Sequence, residues 1–196
     1  MKFPQHLSIT IANHFNGRAY KLIPATEVSS ETESLRRIAS ICNEPAVYEW
    51  LFRSRLEGRV YEEEKAREWL RVSRDEWFSG THFVFAVIDE QNLVAAACDI
   101  KSPGPVAEIG YWSSEQHRGV MTNAVKALCA LASAAGYQAL FARTKDGNVR
   151  SEAVLRRAGF EKKPSQEVGY QRFEYLISRE TGPNQTLHLA AESRGG

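Results

Sequence analysis

The stretch "IGYWSSEQHRGVMTNAVKAL", Ile109 to Leu128, decides how this chain is read. It opens as a strand, passes through a polar loop with a Gln, a His, an Arg and one glycine, and ends in a helix. Free backbone N–H groups at a helix start, aligned with the helix dipole, attract anions without any basic side chain. The stretch is therefore a candidate phosphate cradle. In the preceding residues, "VAEIGYW", alternation puts Glu108 and Gly110 on one face and Ile109 and Tyr111 on the other. Beyond the loop, Met121, Val125, Leu128 and Ala132 recur on one helical face, and Gly136 stands just past the end.

Outward from this centre the period switches between strand and helix. Two alternating runs flank Asn16-Gly17, a strong hairpin-turn signal. Ser30 and Glu33 have capping-box spacing ahead of a helix that carries Leu35, Ile38, Ala39 and Cys42 on one face. Pro45 suits the first position of another helix. "YEEEKAREWLRVSRDEWFSG" reads as a third helix, with an acidic first turn and Gly80 closing it. Two apolar runs then join through a short turn at Asp89 to Asn92. After the central stretch, "YQALFART" is a strand, "NVRSEAVLRRAGF" a helix ending at Gly159, and "GYQRFEYLIS" a last strand. Helices early, an antiparallel meander, and a strand–helix–strand–helix–strand finish predict a mixed α/β fold: one mostly antiparallel central sheet flanked by helices. We expect residues 1–179 to form one domain and residues 180–196 a flexible tail.

Composition excludes several function classes. A net charge of +1 sets up no global field for a nucleic acid or a membrane surface. No apolar run is long enough to cross a bilayer, and the first residues lack the apolar core of a signal peptide. Cys42, Cys98 and Cys129 are odd in number and far apart, with no Cys-x-x-Cys spacing, so neither a disulfide framework nor a zinc site is expected. Each reads as a small buried hydrophobe in a reducing, cytoplasmic protein that holds no metal.

The segments "AEIGYW", "QHRG", "MTNAVKAL" and "DGNVRSEAVLRRAGFEKK" together resemble the GNAT superfamily of acetyl-CoA-dependent N-acetyltransferases. Within it they are most similar to the branch of ribosomal-protein-alanine N-acetyltransferases. "NEPAVYEWL" and "EEKAREWL" resemble that branch's early helices, and Asn148-x-x-Ser151 ending in Gly159-Phe160 is the most specific element. The family's loop pattern is Gln or Arg, two residues, Gly, one residue, then Gly or Ala. Gln116 and Gly119 match it, but Val120-Met121 runs straight into Thr122. The loop is best described as two residues shorter than the family's. Weaker acetyl-CoA binding than a two-glycine loop would give is the expectation.

The resemblance implies attack of a neutral amine on a thioester carbonyl, by direct transfer in a ternary complex. None of the cysteines sits in a nucleophile setting. Such a reaction must hold the pyrophosphate, deprotonate the amine, stabilise the oxyanion and stabilise the departing thiolate. Gln116, His117, Arg118, Gly119, Val120, Met121 and Thr122 are the candidates for the pyrophosphate. Gly119 allows close backbone approach, and Arg118 can add a charge-assisted contact. Val120 and Met121 crowd that backbone, and Met121 also falls on the helix's apolar stripe. Asn148 is a good N-cap to which the resemblance adds a pantetheine contact. Ile109 and Tyr111 would meet the coenzyme through the strand backbone.

Ser151 shares a helix face with Val154, Leu155 and Ala158, so its hydroxyl points inward. The resemblance gives it the sulfur as partner, while a bond to its own backbone is the alternative. Glu108 is the candidate base, acting through one water, with another acid or a water chain as alternatives. His82 and His117 are further candidates. An α-amine, with a reference pKa of about 8 against about 10.4 for lysine, needs less help to become neutral. Trp50 and Trp112 would line the acceptor groove or else belong to the core. The acceptor is a primary amine, on a protein N-terminus or a small molecule, and the chain acts as a monomer or homodimer. A GNAT-shaped binding or regulatory module without coenzyme is the alternative to an enzyme.

Overall fold

A computed structural model describes residues 1–177. The expected tail, 180–196, lies outside the described residues, as does the end of the expected domain. The order of elements is β1 (Ile9–Ala12), β2 (Ala19–Pro24), α1 (Thr32–Cys42), α2 (Pro45–Leu51), α3 (Glu63–Ser79), β3 (Phe83–Ile88), β4 (Val94–Ile100), β5 (Val106–Ser113), α4 (Val120–Ala134), β6 (Ala139–Lys145), α5 (Val149–Arg157), β7 (Glu161–Lys163) and β8 (Tyr170–Leu176). The strands form one mixed sheet in the order β1-β2-β3-β4-β5-β6-β8-β7. Every neighbouring pair is antiparallel except β5 and β6. The expected fold class is the observed one.

Local chemistry accounts for most element ends. Asn16-Gly17 turns the first hairpin, with Gly17 at φ 72°. Pro45 opens α2, and Gly80 closes α3 in the left-handed conformation. The capping box is a correction. α1 starts at Thr32, after Glu31, and no side chain caps it. Ser29 Oγ instead accepts the Glu31 N–H at 3.1 Å, a local turn that takes the chain into the helix later than Ser30 would. The three-residue β7 is an addition, because its polar residues carry no strand period.

Two hydrophobic clusters sit on either side of the sheet. One packs α4 and α5 against it, with Leu128, Val125, Leu155 and Phe173 fully buried. The other packs α1, α2 and α3, with Leu35, Ile38, Ile41 and Leu70 buried. All six residues of β3 are buried, as a strand covered on both faces must be. Truncating a fully buried Leu such as Leu128 to Ala would cost about 2–5 kcal/mol, so each helix is firmly held to its face.

The feature that positions the site is where one ladder stops. β5 and β6 pair in parallel only at Val106↔Ala139, Ala107↔Leu140 and Glu108↔Phe141. Both strands run on, β5 to Ser113 and β6 to Lys145, without pairing further. They splay, and a cleft opens between them.

Candidate active site

Beyond Glu108 the β5 backbone has a partner on one side only. Lys101 N–H donates to Glu108 C=O, and Ser114 N–H donates to Ala95 C=O, so residues of even number face β4. Alternation turns the N–H and C=O groups of Ile109, Tyr111 and Ser113 toward β6, where the ladder has ended. These backbone groups face a cleft of about 990 Å³ whose lining includes Ile109, Gly110, Tyr111, Gly119, Asn148 and Ser151.

The loop at the cleft end differs in detail from the sequence expectation. Ser114 to His117 make a 3-10 turn, Gly119 is the N-cap of α4 at φ 104°, and the helix begins at Val120. Val120 and Met121 are thus first-turn residues whose side chains are buried, not bulky parts of a loop. Gly119 brings no side-chain cap, so the N–H groups of Val120, Met121 and Thr122 have no partner within the helix. Thr122 is fully buried, and its Oγ1 accepts from Arg157 Nε at 3.2 Å rather than facing the cleft. Arg118 and Gly119 line the cleft.

Gln116 and His117 turn their side chains away from the cleft. His117 is 6% exposed. Its Nδ1 lies 2.8 Å from the Tyr20 hydroxyl, and its Nε2 lies 2.7 Å from Arg37 Nη2 on α1. Gln116 Oε1 also faces Arg37, at 3.5 Å. Neither side chain lines the cleft. Arg37 can only donate, so Nε2 accepts and Nδ1 carries the ring proton. Burial lowers the pKa of His117, and the Arg37 charge lowers it further.

The first hairpin braces this loop, a contact the local sequence did not signal. Asn13 Nδ2 donates to Arg118 C=O at 3.0 Å, His14 N–H donates to Gly119 C=O at 3.2 Å, and Asn123 Nδ2 donates to Ala12 C=O at 2.7 Å. A Cβ on Gly119 would strike Phe15 at 2.7 and 3.1 Å as well as the Asn13 side chain. Glycine is needed here for both space and conformation.

On the opposite wall, Asn148 Oδ1 accepts the Ser151 N–H at 3.1 Å, as an N-cap should. Ser151 Oγ lies 2.8 Å from the Tyr111 hydroxyl, whose single proton can go either to that oxygen or to the Ser151 carbonyl at 3.1 Å. Burial pushes the Tyr111 phenol well above its ordinary pKa, despite its bond to Ser151. A pair of neutral hydroxyls therefore stands where β5 and α5 meet. Glu108 is in the cleft wall but is not free. Its Oε1 is 2.7 Å from Lys101 Nζ, and its Oε2 is 3.0 Å from Arg143 Nη2. Trp50 lines the cleft from α2, and Trp112 does so from β5 while packing on Trp69 at 5.7 Å between ring centres. No group of His, Cys, Asp and Glu suited to a metal occurs among the described residues, and no described helix is long and apolar enough to cross a membrane.

The model of the acetyltransferase (GNAT) domain family matches residues 29–161, which span α1 to the start of β7. The chain belongs to the GNAT acetyltransferase family. Solved structures of the same fold include the GNAT domain of S. lividans PAT, 17% identical, TM-score 0.66, covering 89% of this chain and 99% of that one. RimJ of Mycobacterium smegmatis in complex with CoA-disulfide is 16% identical, with TM-score 0.67 and 90% of each chain covered. The ribosomal L7/L12 alpha-N-protein acetyltransferase RimL in complex with coenzyme A is 17% identical, with TM-score 0.65 and coverages of 86% and 98%. No curated protein matches. The splayed strands and the short loop are thus parts of a GNAT acetyltransferase.

Proposed function

We propose that this acetyltransferase binds acetyl-CoA in the cleft between β5 and β6 and passes its acetyl group directly to a primary amine, the α-amine of a polypeptide N-terminus. The observation that carries this reading is the end of the β5–β6 ladder at Glu108, which leaves strand N–H groups open beside the Tyr111–Ser151 hydroxyl pair. The pyrophosphate is held by the first-turn N–H groups of α4 with Gly119 and Arg118. Asn148 lies along the pantetheine path. The N–H groups of Ile109 and Tyr111 meet the charge that develops on the thioester oxygen. Ser151, backed by Tyr111, donates a hydrogen bond to the departing sulfur. Trp50 and Trp112 line the acceptor end.

The choice of an α-amine draws on two supports. Two proteins of similar fold are RimL, a ribosomal L7/L12 alpha-N-protein acetyltransferase, and a ribosomal-protein-serine acetyltransferase from Vibrio cholerae. An α-amine also has the lower proton affinity, which suits a cleft whose Glu108 is fully ion-paired. The test is a calorimetric titration with acetyl-CoA followed by a panel of free-N-terminus peptides, lysine side-chain analogues and small amines. Micromolar binding and transfer to peptide α-amines is the expected result. No binding at millimolar acetyl-CoA would instead mean a GNAT-shaped domain that works without the coenzyme.

A further inference from the structure

The face of the sheet opposite α4 and α5 carries a row of ionisable groups with no role in the reading so far. Asp99 on β4 stands opposite Gly110 on β5, and its Oδ1 accepts the Gly110 N–H at 2.7 Å. Its Oδ2 lies 3.4 Å from Nε2 of His82. The other ring nitrogen, Nδ1, lies 2.7 Å from Oε2 of Glu76 on α3. A carboxylate only accepts, so in the neutral ring Nδ1 carries the proton and Nε2 is left with a lone pair. That Nε2 is buried and makes no hydrogen bond. A buried polar atom without a partner is costly and calls for a cause.

Gly110 connects this row to the cleft, which it lines. A Cβ at Gly110 would lie 2.9 and 3.3 Å from the two Asp99 oxygens and 3.2 Å from Lys101 Cε. Asp99 is not among the residues that line the cleft; it stands directly behind Gly110, whose missing side chain leaves the space next to its carboxylate open. Asp99 retains 23% side-chain exposure, whereas both Glu108 oxygens are engaged by cations.

We propose that Asp99 takes the proton from the acceptor amine and that His82 and Glu76 carry it on to solvent. The assignment rests on the acetyl-transfer reading above. The N–H bond of the acceptor ammonium breaks, its electron pair stays on nitrogen as the attacking lone pair, and the proton becomes an O–H on Asp99 Oδ2. That proton then passes to His82 Nε2, which restores the carboxylate and gives an imidazolium beside Glu76. The His82 and Glu76 side chains are 25% and 38% exposed, so the Nδ1 proton can leave through Glu76 to water, and proton exchange with water then returns the ring from the Nε2–H to the Nδ1–H tautomer before the next turnover. Burial alone would lower the pKa of His82, but bonds and charge from Asp99 and Glu76 outweigh it and raise the value. The charged groups around the row are Glu76 from α3, Asp99 from β4, Lys101 just after β4, and Glu108 from β5, the last two tied to each other.

Asp99→Asn is the decisive variant, because it keeps an oxygen for the Gly110 N–H and cannot take a proton. With acetyl-CoA and a peptide bearing a free α-amine, kcat/KM at pH 7 is expected to fall at least about 100-fold. Acetyl-CoA affinity should stay within about twofold by calorimetry, which also shows that the variant is folded. The loss should shrink as pH rises toward about 8 and beyond, where the amine is neutral unaided. Gly110→Ala closes the same route with Asp99 intact and is expected to cut kcat about tenfold, an order typical of impaired proton transfer. Independently of turnover, the His82 ring followed by NMR should titrate at lower pH in Asp99→Asn than in the wild type.

Asp99→Asn with wild-type kcat/KM from acid to alkaline pH would overturn the assignment, as would a larger loss in Glu108→Gln. A wild type that binds no acetyl-CoA would fail the functional reading itself. A competent wild type with an unaffected Asp99→Asn would fail only the assignment of Asp99.

Discussion

The two walls of the cleft are built on opposite principles. The wall made by α4, α5 and the hairpin is neutral where it meets the expected thioester, with the Tyr111 and Ser151 hydroxyls 2.8 Å apart. It is braced from 105 residues away by Asn13. The opposite wall is ionic, with Lys101, Glu108 and Arg143 in one cluster, and Glu76, His82 and Asp99 form another behind Gly110. The contrast teaches a division of labour. Groups that hold and polarise sit where backbone and hydroxyls suffice, and groups that exchange protons sit where carboxylates and imidazole can be matched. Changes on one wall should therefore alter coenzyme affinity and thioester cleavage, and changes on the other should alter acceptor handling.

The strongest way to break the comparison is Gly119→Val. It forces a β-branched residue into φ 104° and onto Phe15, so acetyl-CoA affinity is expected to fall at least about 100-fold by calorimetry. Unchanged affinity would mean that the loop does not hold the coenzyme. Ser151→Ala should lower kcat about tenfold, the worth of about 1.4 kcal/mol from one hydrogen bond to developing charge, with the acetyl-CoA Kd unchanged. A turnover number equal to the wild type would remove Ser151 from the mechanism.

Trp50→Ala probes the other wall. The acceptor KM should rise about fivefold through lost aromatic contact, and the acetyl-CoA Kd should not move. A shift in the coenzyme Kd instead would blur the division between the walls.

A smaller effect concerns pH and stability. His117 has a folded pKa below its ordinary 6.5, so the unfolded chain binds that proton more readily. Stability should fall as pH drops through 6.5 toward the folded value, and His117→Gln should flatten that loss in thermal melts. His82 has the opposite sign, since its folded pKa is raised. It stabilises below 6.5 and loses that contribution as pH rises through the folded value. Acid melts of His117→Gln as steep as those of the wild type would show that His117 is not the source. The smallest expected effect is from inserting Lys-Gly after Gly119. α4 already begins at Val120 with three first-turn N–H groups lacking helical partners, so no gain in acetyl-CoA affinity is expected. A tenfold gain would show that the short loop is deficient.

Elements with a strong period were legible in the sequence. The fully buried β3 was read from its continuous apolar run and the stripe of α4 from its spacing, because local burial writes itself into local pattern. Asn148 as N-cap was legible for the same reason. The splay was not, since β5 has the same alternation whether or not β6 stays beside it. Val120 and Met121 looked like an obstruction because the start of α4 was not located to the residue. The slot that holds His117 joins Tyr20, Arg37 and the loop across about 100 positions, and the row from Glu76 to Gly110 joins three elements and the loop before β3. Pairings of that range leave no mark in any window of sequence.

The hairpin brace has a consequence for the order of events in synthesis. Ala12, Asn13 and His14 leave the ribosome about 100 residues before Arg118, Gly119 and Asn123. The loop therefore takes its final form only through a long-range closure, of the kind that slows folding. A fusion or cleavage that disturbs the first eighteen residues would reach the phosphate loop without touching it in sequence.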